Sequence, residues 1–414
     1  MICKIKNILF LGIVFFIYLT GCRQAVDQRS GIQILRKDIN YLASDELEGR
    51  ETGTRGGEKA SFYLAERFEE IGLEPKGTEG YFQEYSFSPP GNPHAARSDD
   101  DTIKIDTRNV IGYMDNKAKN TIILGAHFDH LGYGDENSLY RGDSAVHNGA
   151  DDNASGVAAL LLLAQTLKGR NLHNNYLFIA FSGEEKGLFG SNYFSKNPTI
   201  DLETVTYMLN MDMVGRLNEE NALAINGVGT SPAFMEVLEN IGIDTLKIVT
   251  SKSGIGPSDH TSFYLKDIPV LHFFTGQHED YHRPSDDANK INYEGLYAVT
   301  AYIDSVITRL DGRAKLAFIK TKDESKDAPK FSVTLGVVPD YLFDGKGMRI
   351  DGVSEDRPAQ KAGLLAGDIV VQLGDIQVID MMSYMEALSK FKKGDTTEVT
   401  VRRNEENLTF PIQF

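Results

Sequence analysis

The sequence lacks the features that mark several large classes of protein. Its 414 residues carry 43 lysines and arginines against 59 aspartates and glutamates, a formal net charge of -16, and no basic run offsets this balance. A surface of this sign repels phosphate backbones, so we expect no nucleic-acid partner. Hydrophobic residues at 41%, charged residues at 25% and 39 glycines exclude collagen-like, coiled-coil and wholly disordered chains. The length allows two or three folded domains.

Cysteine is nearly absent, and both cysteines lie close to the N-terminus. Cys3 and Cys22 flank an apolar stretch, residues 8–19, which follows Lys4 and Lys6. The stretch is too short to span a bilayer comfortably, so it predicts a signal peptide more than an uncleaved membrane anchor. Cleavage before Cys22 would remove Cys3, and a lipidated Cys22 would leave no thiol for disulfides or cysteine chemistry.

Residues 19–22, with the sequence Leu-Thr-Gly-Cys, resemble the bacterial lipobox, in which small residues admit the signal peptidase and the cysteine receives the lipid. The resemblance implies a lipoprotein signal peptide at residues 1–21, a lipid anchor on Cys22 and a polar tether over residues 22–30. It places the mature chain outside the cytoplasm, on a bacterial cell membrane, at the outer membrane or the periplasmic face.

Hydrophobic patterning predicts a layered α/β domain. Four short runs are continuously apolar, as expected for strands that are covered on both faces. Helices are expected at residues 154–167 and over 56–72, where Gly72 stands at the C-cap position. The alternation indicates a mixed, largely parallel central sheet with helices on both faces. The four runs span residues 121–126, 176–181, 206–211 and 268–274.

Two polar stretches divide the chain. Residues 88–101 are rich in proline, glycine and aspartate, which predicts an exposed irregular insertion. Residues 320–330 are charged and lack apolar periodicity, which indicates a linker over residues 316–330. The linker would separate a large domain at residues 31–315 from a small β-rich domain at 331–414, which has its own strand patterns.

Polar motifs follow the predicted strands at their carboxyl ends, where open α/β sheets bind ligands. Their histidines and carboxylates would repel one another or stay unsatisfied without a cation, and nitrogen and oxygen ligands of this kind suit zinc. A mixed set without thiolates suggests a catalytic metal. Each motif alone is a weak signal, and together they are a strong one. The motifs are His127-Phe128-Asp129, Asp151-Asp152-Asn153-Ala154-Ser155-Gly156, Ser182-Gly183-Glu184-Glu185, Asn210-Met211-Asp212-Met213 and Tyr281-His282-Arg283-Pro284-Ser285-Asp286.

In this order and spacing the five motifs resemble the co-catalytic zinc aminopeptidase family, which also contains glutamate-carboxypeptidase-like and glutaminyl-cyclase-like members. The resemblance implies a zinc exopeptidase fold with two Zn²⁺ per chain. His127 and Asp212 would bind one zinc, Glu185 and His282 the other, and Asp152 would bridge both. Two ions about 3.5 to 4 Å apart can hold one hydroxide between them and polarise a scissile carbonyl.

The same resemblance gives roles to residues around the ligands. Glu184 would be the general base that takes the water proton and passes it to the leaving amine. Asp129 would fix the tautomer of His127, and Asp286 would fix that of His282. Tyr281 could donate its hydroxyl to the oxyanion, with packing as the alternative role. Other histidines nearby are expected to be structural or to support the ligands: His130, His147, His260, His272 and His278.

The small domain resembles a PDZ domain. Residues 334–337, with the sequence Thr-Leu-Gly-Val, stand where that family has its carboxylate-binding loop, and residues 358–368 are close to a bacterial PDZ signature. The resemblance implies that backbone amides at Leu335, Gly336 and Val337 bind a peptide C-terminus. Many family members have glycine in place of the threonine, which bears on how tightly a carboxylate is held. A PDZ fold that only packs on the large domain is the alternative.

We therefore predict a zinc-dependent aminopeptidase that acts on peptides outside the cytoplasm, and three alternatives stay open. A glutaminyl-cyclase-like acyltransferase would use one zinc and close a ring, and a carboxypeptidase would act at the other end of the peptide. A non-catalytic binding protein would have lost ligands. All five ligands are present, which favours two metals, and the absence of tryptophan departs from the indole-lined pocket common among such cyclases.

Overall fold

The chain folds into a layered α/β domain followed by a small β-rich domain. The predicted signal peptide, Cys22 and most of the predicted insertion lie outside the residues that the structure describes. Among the described residues, no helix has the length and apolar character needed to cross a membrane. The computed structural model describes residues 27–88, 104–134, 137–170, 172–242, 245–322, 331–340, 343, 345–354 and 357–414.

A mixed sheet forms the centre of the large domain. In the described part of the chain its strands lie in the order β1-β3-β5-β4-β6-β9-β7-β8, and β2 pairs with β3. The central run β5-β4-β6-β9 is parallel, and β3 and β7 join it antiparallel, which confirms the predicted fold class. The strands are β1 (Glu74–Pro75), β2 (Phe82–Phe87), β3 (Ile105–Met114), β4 (Thr121–His127), β5 (Asn175–Phe181), β6 (Val205–Met211), β7 (Ala222–Asn226), β8 (Lys247–Ser251) and β9 (Val270–Phe274).

Helices cover both faces of this sheet, which is why its central strands are apolar throughout. Alternate residues of β5 enter two different cores, Tyr176 and Phe178 on the face of α1, α3 and α7, and Leu177 and Ile179 on the face of α4 and α6. The helices are α1 (Gln28–Leu42), α2 (Arg55–Ile71), α3 (Gly156–Leu167), α4 (Phe189–Lys196), α5 (Pro232–Leu238), α6 (His260–Tyr264) and α7 (Tyr293–Leu310).

Helix α1 begins inside the predicted tether. The Asp27 carboxylate accepts a hydrogen bond from the Ser30 backbone N–H at 3.1 Å, so Asp27 caps a helix that starts at Gln28. The predicted tether, residues 22–30, therefore extends three residues too far. Helix α2 matches its prediction, and Gly72 ends it in the left-handed conformation, with φ at 78°.

The predicted linker also begins too early. Residues after α7 have no regular structure, yet their backbone is fixed to the large domain. The Leu316 N–H donates to Thr206 Oγ1 at 3.0 Å, and the Ile319 N–H donates to the Thr230 carbonyl at 2.8 Å. The large domain therefore extends beyond the predicted boundary at residue 316.

The small domain is an antiparallel sheet with two helices. Its strands lie in the order β10-β11-β12-β14-β15, with β13 paired to β12. An ion pair of 3.1 Å between Arg349 and Glu220 joins it to the large domain. Its elements are β10 (Val337–Pro339), β11 (Met348–Val353), α8 (Pro358–Ala362), β12 (Ile369–Leu373), β13 (Ile376–Gln377), α9 (Met381–Ser389), β14 (Thr396–Arg403) and β15 (Glu406–Gln413).

Candidate active site

Loops at one edge of the large sheet bring the five predicted ligands together. His127 is the last residue of β4, Asp212 directly follows β6, and Glu185 and His282 lie on the loops after β5 and β9. Asp152 lies in the kinked segment that leads into α3, where its own backbone angles are not helical. The carboxyl ends of the parallel strands β4, β5, β6 and β9 share this edge, so side chains far apart in the sequence converge here.

Asp152 stands between two halves of the cluster. The imidazole Nε2 of His127 lies 3.4 Å from Asp152 Oδ1 and 3.3 Å from Asp212 Oδ1. The imidazole Nε2 of His282 lies 3.2 Å from Asp152 Oδ2 and 3.4 Å from Glu185 Oε2. Asp152 thus presents one oxygen to each half, which is the geometry that a bridging carboxylate needs.

The electrostatics of the cluster favour added positive charge. Burial alone would lower the pKa of His127, yet the carboxylates of Glu184 and Asp212 raise it well above its usual value. Burial also opposes the charged form of His282, and the neighbouring carboxylates, Glu185 foremost, raise its pKa to about 11. Buried anions in this excess need a cation, and the nitrogen and oxygen donors without sulfur fit zinc.

His130 contributes more than the sequence suggested. Within the described residues, two groups can each hold a metal ion, namely His127 with Glu184 and Asp212, and His130 with Asp152 and Glu185. The Nδ1 atom of His130 lies 2.7 Å from Glu185 Oε1. His130 lies three residues after His127 in the sequence. This spacing did not predict that the His130 ring would join the same cluster.

The two adjacent glutamates occupy opposite electrostatic environments. Burial raises the pKa of Glu184 well above its usual value, and the nearby charge of Glu185 raises it further, against the opposing influence of His127. Burial also acts to raise the pKa of Glu185, but contacts with His282 and His130 lower it to about 2. Glu185 therefore stays ionised like a ligand, whereas Glu184 has the raised proton affinity of a general base.

Asp129 supports His127 through its main chain rather than its carboxylate. The Nδ1 atom of His127 lies 3.2 Å from the Asp129 carbonyl oxygen and 3.8 Å from the nearer carboxylate oxygen. That carboxylate instead accepts hydrogen bonds from the Thr52 hydroxyl at 2.8 Å and from the Glu184 N–H at 3.2 Å. Asp129 thus orients the His127 ring and also holds the loop of the proposed base.

Asp286 does not contact His282, which corrects the prediction. Its carboxylate accepts hydrogen bonds from the backbone N–H groups of Asp151 at 2.9 Å and Asp152 at 3.1 Å. The Nδ1 atom of His282 lies 3.0 Å from the Asn137 carbonyl oxygen instead. A tight turn between the two residues directs the carboxylate away from the histidine, toward the loop that carries the bridging ligand.

Tyr281 stacks on His282, with their ring centroids 3.8 Å apart, and both line a cavity of about 490 Å³ over the cluster. Burial raises the pKa of Tyr281 well above its usual value, so its hydroxyl keeps a proton that it can donate. Packing and donation are therefore compatible.

Arg50 is a residue of the site that the sequence did not reveal. Its guanidinium is buried and donates to the carbonyls of Phe128 at 2.8 Å, Asn148 at 2.6 Å and Gly149 at 2.9 Å, and to that of Leu42. These contacts join the loop after His127 to the loop before Asp152. The surrounding sequence has the composition of an ordinary loop, and nothing in it distinguishes a buried arginine from an exposed one.

The predicted carboxylate-binding loop, residues 334–337, leads into the edge strand β10. The side chain of Leu335 is fully buried in the small-domain core. Gly336 has a φ of 75°, which favours glycine, and its N–H donates to Thr334 Oγ1 at 3.0 Å. The Thr334 hydroxyl therefore already accepts from one of the backbone N–H groups that the resemblance assigns to binding a peptide carboxylate. Val337 is the first residue of β10.

Comparisons with known proteins agree with this architecture. The sequence model of Peptidase family M28 matches residues 109–307, and that of the PDZ domain matches residues 319–414. The chain is 33% identical over 178 residues to a probable leucine aminopeptidase of Trichophyton verrucosum. The alignment covers 41% of this chain and 45% of the relative, so the chain spans less than half the length of that relative.

Solved structures share the fold of the large domain. BSAP, a zinc aminopeptidase from Bacillus subtilis, superposes with a TM-score of 0.53 at 16% identity, covering 72% of this chain and 100% of that structure. A Bacteroides thetaiotaomicron glutaminyl cyclase gives 0.52 at 19% identity, covering 69% and 98%. The fold thus occurs both in a zinc aminopeptidase and in a glutaminyl cyclase. The large domain therefore resembles Peptidase family M28 over residues 109–307, and the part of the chain that follows resembles a PDZ domain over residues 319–414.

Proposed function

We propose that the chain is a zinc-dependent exopeptidase, an aminopeptidase that binds two zinc ions and hydrolyses peptides outside the cytoplasm. The observation that carries the proposal is the position of Asp152, whose two oxygens face His127 on one side and His282 on the other. A bridging carboxylate of this kind is what a pair of co-catalytic ions requires. The match to peptidase family M28 supports the peptidase chemistry.

The residues of the cluster divide the work of hydrolysis. His127, Asp212 and Asp152 would hold one ion, and Asp152, Glu185 and His282 the other. Zinc bound there would lower the pKa of a water molecule and polarise the scissile carbonyl. Glu184 lines the cavity over the cluster, where it would accept the proton of the attacking water and deliver it to the leaving amine.

Tyr281 is placed to assist the same step. Its hydroxyl stays protonated because burial raises its pKa, and its ring lines the cavity. A donor aimed at the oxygen on which charge develops stabilises the transition state more than the ground state.

Metal removal and restoration test the proposal. Protein stripped with a chelator should lose hydrolysis of amino-acid amides and regain it as zinc is added, with full activity at two equivalents. Peptides with a free amino group should be cleaved, and amino-blocked peptides should not. Cleavage of only carboxy-free peptides would indicate a carboxypeptidase. Loss of ammonia from an N-terminal glutamine without peptide cleavage, at one zinc, would indicate the cyclase and contradict the proposal.

We also propose that the PDZ domain binds peptide C-termini beside strand β10. An unpaired strand edge accepts an extended peptide by main-chain hydrogen bonds, and the carboxylate would meet the turn at Gly336. Because Thr334 already accepts the Gly336 N–H, we expect weak binding that strengthens in Thr334→Gly. Titration with a short peptide and its carboxy-amidated form measures both effects, and equal binding of the two forms would contradict them.

Membrane attachment through Cys22 is the remaining proposal. Cys22→Ala should leave the protein unprocessed or soluble, because the lipid acceptor is gone. Cys3→Ala is the matched control, since it lies in the part that cleavage would remove. Fractionation and the mass of the mature chain report the outcome. Unchanged attachment of Cys22→Ala would show that the lipid anchor does not exist.

A further inference from the structure

A row of polar side chains forms part of the cavity wall beyond the metal-binding cluster. Asn226 of β7 pairs in register with Ser251 of β8 and with His272 of β9, so the three residues lie side by side across neighbouring strands. Cross-strand partners point to the same face of a sheet, and all three line the cavity. We call these three residues the polar row.

The imidazole in the polar row lacks a partner for one nitrogen. The Asn226 side-chain amide donates to His272 Nδ1 at 3.3 Å, so the proton of a neutral ring is on Nε2. Among the described residues Nε2 has no hydrogen-bond partner, although His272 is only 5% exposed. A buried donor that stays unpaired carries a desolvation penalty, which a ligand with an acceptor atom would relieve.

The polar row carries no charge. Burial lowers the pKa of His272 to about 4, so its ring is neutral at physiological pH, and the other two members are an amide and a hydroxyl. The row contains no cation to pair with an acidic substrate side chain and no carboxylate to pair with a basic one. The row therefore suits an uncharged group that both accepts and donates hydrogen bonds.

Apolar side chains flank the row on the same wall. Ala224 and Phe274 pair across β7 and β9 two register positions away, on the same face of the sheet, and Met213 and Pro257 line the same cavity. Such a surface suits the methylene stem of a side chain, with the polar group at its end. A carboxamide on a short aliphatic stem matches both parts of the wall, whereas an aliphatic side chain would leave the row unpaired.

We propose that the polar row is a specificity-determining surface that selects peptides whose N-terminal residue ends in a carboxamide, asparagine or glutamine. The inference rests on the proposed function, because the amino-terminal residue enters this cavity only if its carbonyl is the one attacked beside Glu184. The carboxamide oxygen accepts from His272, and its N–H₂ group donates to Asn226 or Ser251.

Matched substrates test the selection on the full-length, zinc-loaded protein. Asparagine and leucine p-nitroanilides have side chains of similar shape, and glutamine and methionine p-nitroanilides have similar length. In at least one pair, we expect kcat/KM to be roughly tenfold or more higher for the substrate with the carboxamide side chain than for its aliphatic match. A site that makes hydrogen bonds rejects an analogue that lacks them. Equal rates, or a preference for leucine and methionine, would overturn the inference while leaving the proposed function intact.

Variants then assign the preference to the polar row. Asn226→Leu and Ser251→Ala should each reduce the ratio of amide to aliphatic kcat/KM, roughly two- to tenfold for one hydrogen bond. Thr250→Val is the control, because Thr250 is exposed on the same strand and does not line the cavity. An unchanged ratio in both row variants, or an equal drop in the control, would contradict the assignment.

Binding and product analysis separate this inference from the proposed function. If no substrate is hydrolysed, the proposed function fails, and calorimetric titration with asparaginamide and leucinamide still tests the row. Tighter binding of asparaginamide would support the row, and equal binding would exclude it. Mass analysis of the glutamine reaction shows whether the product is the free amino acid, as expected, or a ring formed with loss of ammonia.

Discussion

At the residue scale, neighbours in the sequence differ because the fold gives them different surroundings. Glu184 and Glu185 are adjacent, yet Glu185 faces His130 and His282 while Glu184 faces His127 and Asp212. The motif predicted that both would be needed. Only the structure shows which imidazoles each carboxylate meets.

Glu184→Gln and Glu185→Gln should therefore fail in different ways. The first keeps the shape and removes the base, so both metals should stay bound while turnover falls roughly 10²- to 10⁴-fold. The second removes an anionic ligand, so zinc content should fall toward one ion per chain. Metal analysis and turnover under the same conditions make the comparison. Near-normal turnover in Glu184→Gln, or loss of metal from that variant alone, would reverse the two roles.

Arg50→Lys should weaken zinc binding although Arg50 touches no metal. A lysine cannot donate to four carbonyls in separate directions, so the loops before Asp152 and after His127 lose their common anchor. We expect a roughly 10- to 100-fold loss of zinc affinity, as for other groups that orient ligands, with partial rescue at high zinc. Arg55→Lys, an exposed change nearby, is the control. Unaltered zinc affinity in Arg50→Lys would show that the arginine only stabilises the fold.

At the element scale, the sequence predicts best where burial is uniform. Strands β4, β5 and β6 are buried along their whole length, and a continuous apolar run is enough to identify them. In edge strands such as β10 and β15, burial alternates along the strand or is only partial, so no continuous apolar run identifies them. The start of α1 depends on a single cap at Asp27. The direction of Asp286 depends on one turn, which no pattern in the sequence encodes.

Helix α2 depends on a close backbone approach that allows only glycine. A Cβ atom at Gly56 would lie 1.9 Å from the Leu47 carbonyl oxygen, in the turn that also carries Arg50. Gly56→Ala should therefore lower the free energy of unfolding by roughly 1–3 kcal/mol. Glu66→Ala, on the exposed side of the same helix, should stay within about 0.5 kcal/mol. Denaturant unfolding of both variants measures the difference, and equal effects would refute the packing explanation.

At the scale of the whole molecule, all proposed ligands belong to the large domain, and the PDZ domain has its own hydrophobic core. Separate cores suggest that the two domains fold separately. The end of the large domain is only partly marked in the sequence, because residues 316–319 are apolar but form too short a run to show a helix or strand period, and backbone hydrogen bonds hold them to the large domain.

A chain that ends at Lys322 should still hydrolyse small amino-acid amides, because every ligand and Glu184 remain. A chain that ends at Leu310 should unfold at a lower temperature, since it loses the burial of Leu316, worth roughly 1.5–3 kcal/mol. Thermal unfolding and turnover of the two shortened chains test this. Inactivity of a folded chain ending at Lys322 would mean that the PDZ domain completes the active site.

The ligands are drawn from loops between His127 and His282, so the chain must complete the sheet order β5-β4-β6-β9 before they meet. Contacts of such long sequence separation form late, because closing large loops costs entropy before it brings any gain. Under the proposed function, zinc would therefore bind only after this part of the sheet is complete. Under the proposed function, an unfolded chain would accordingly have neither bound zinc nor hydrolytic activity, so metal content would measure the folded fraction.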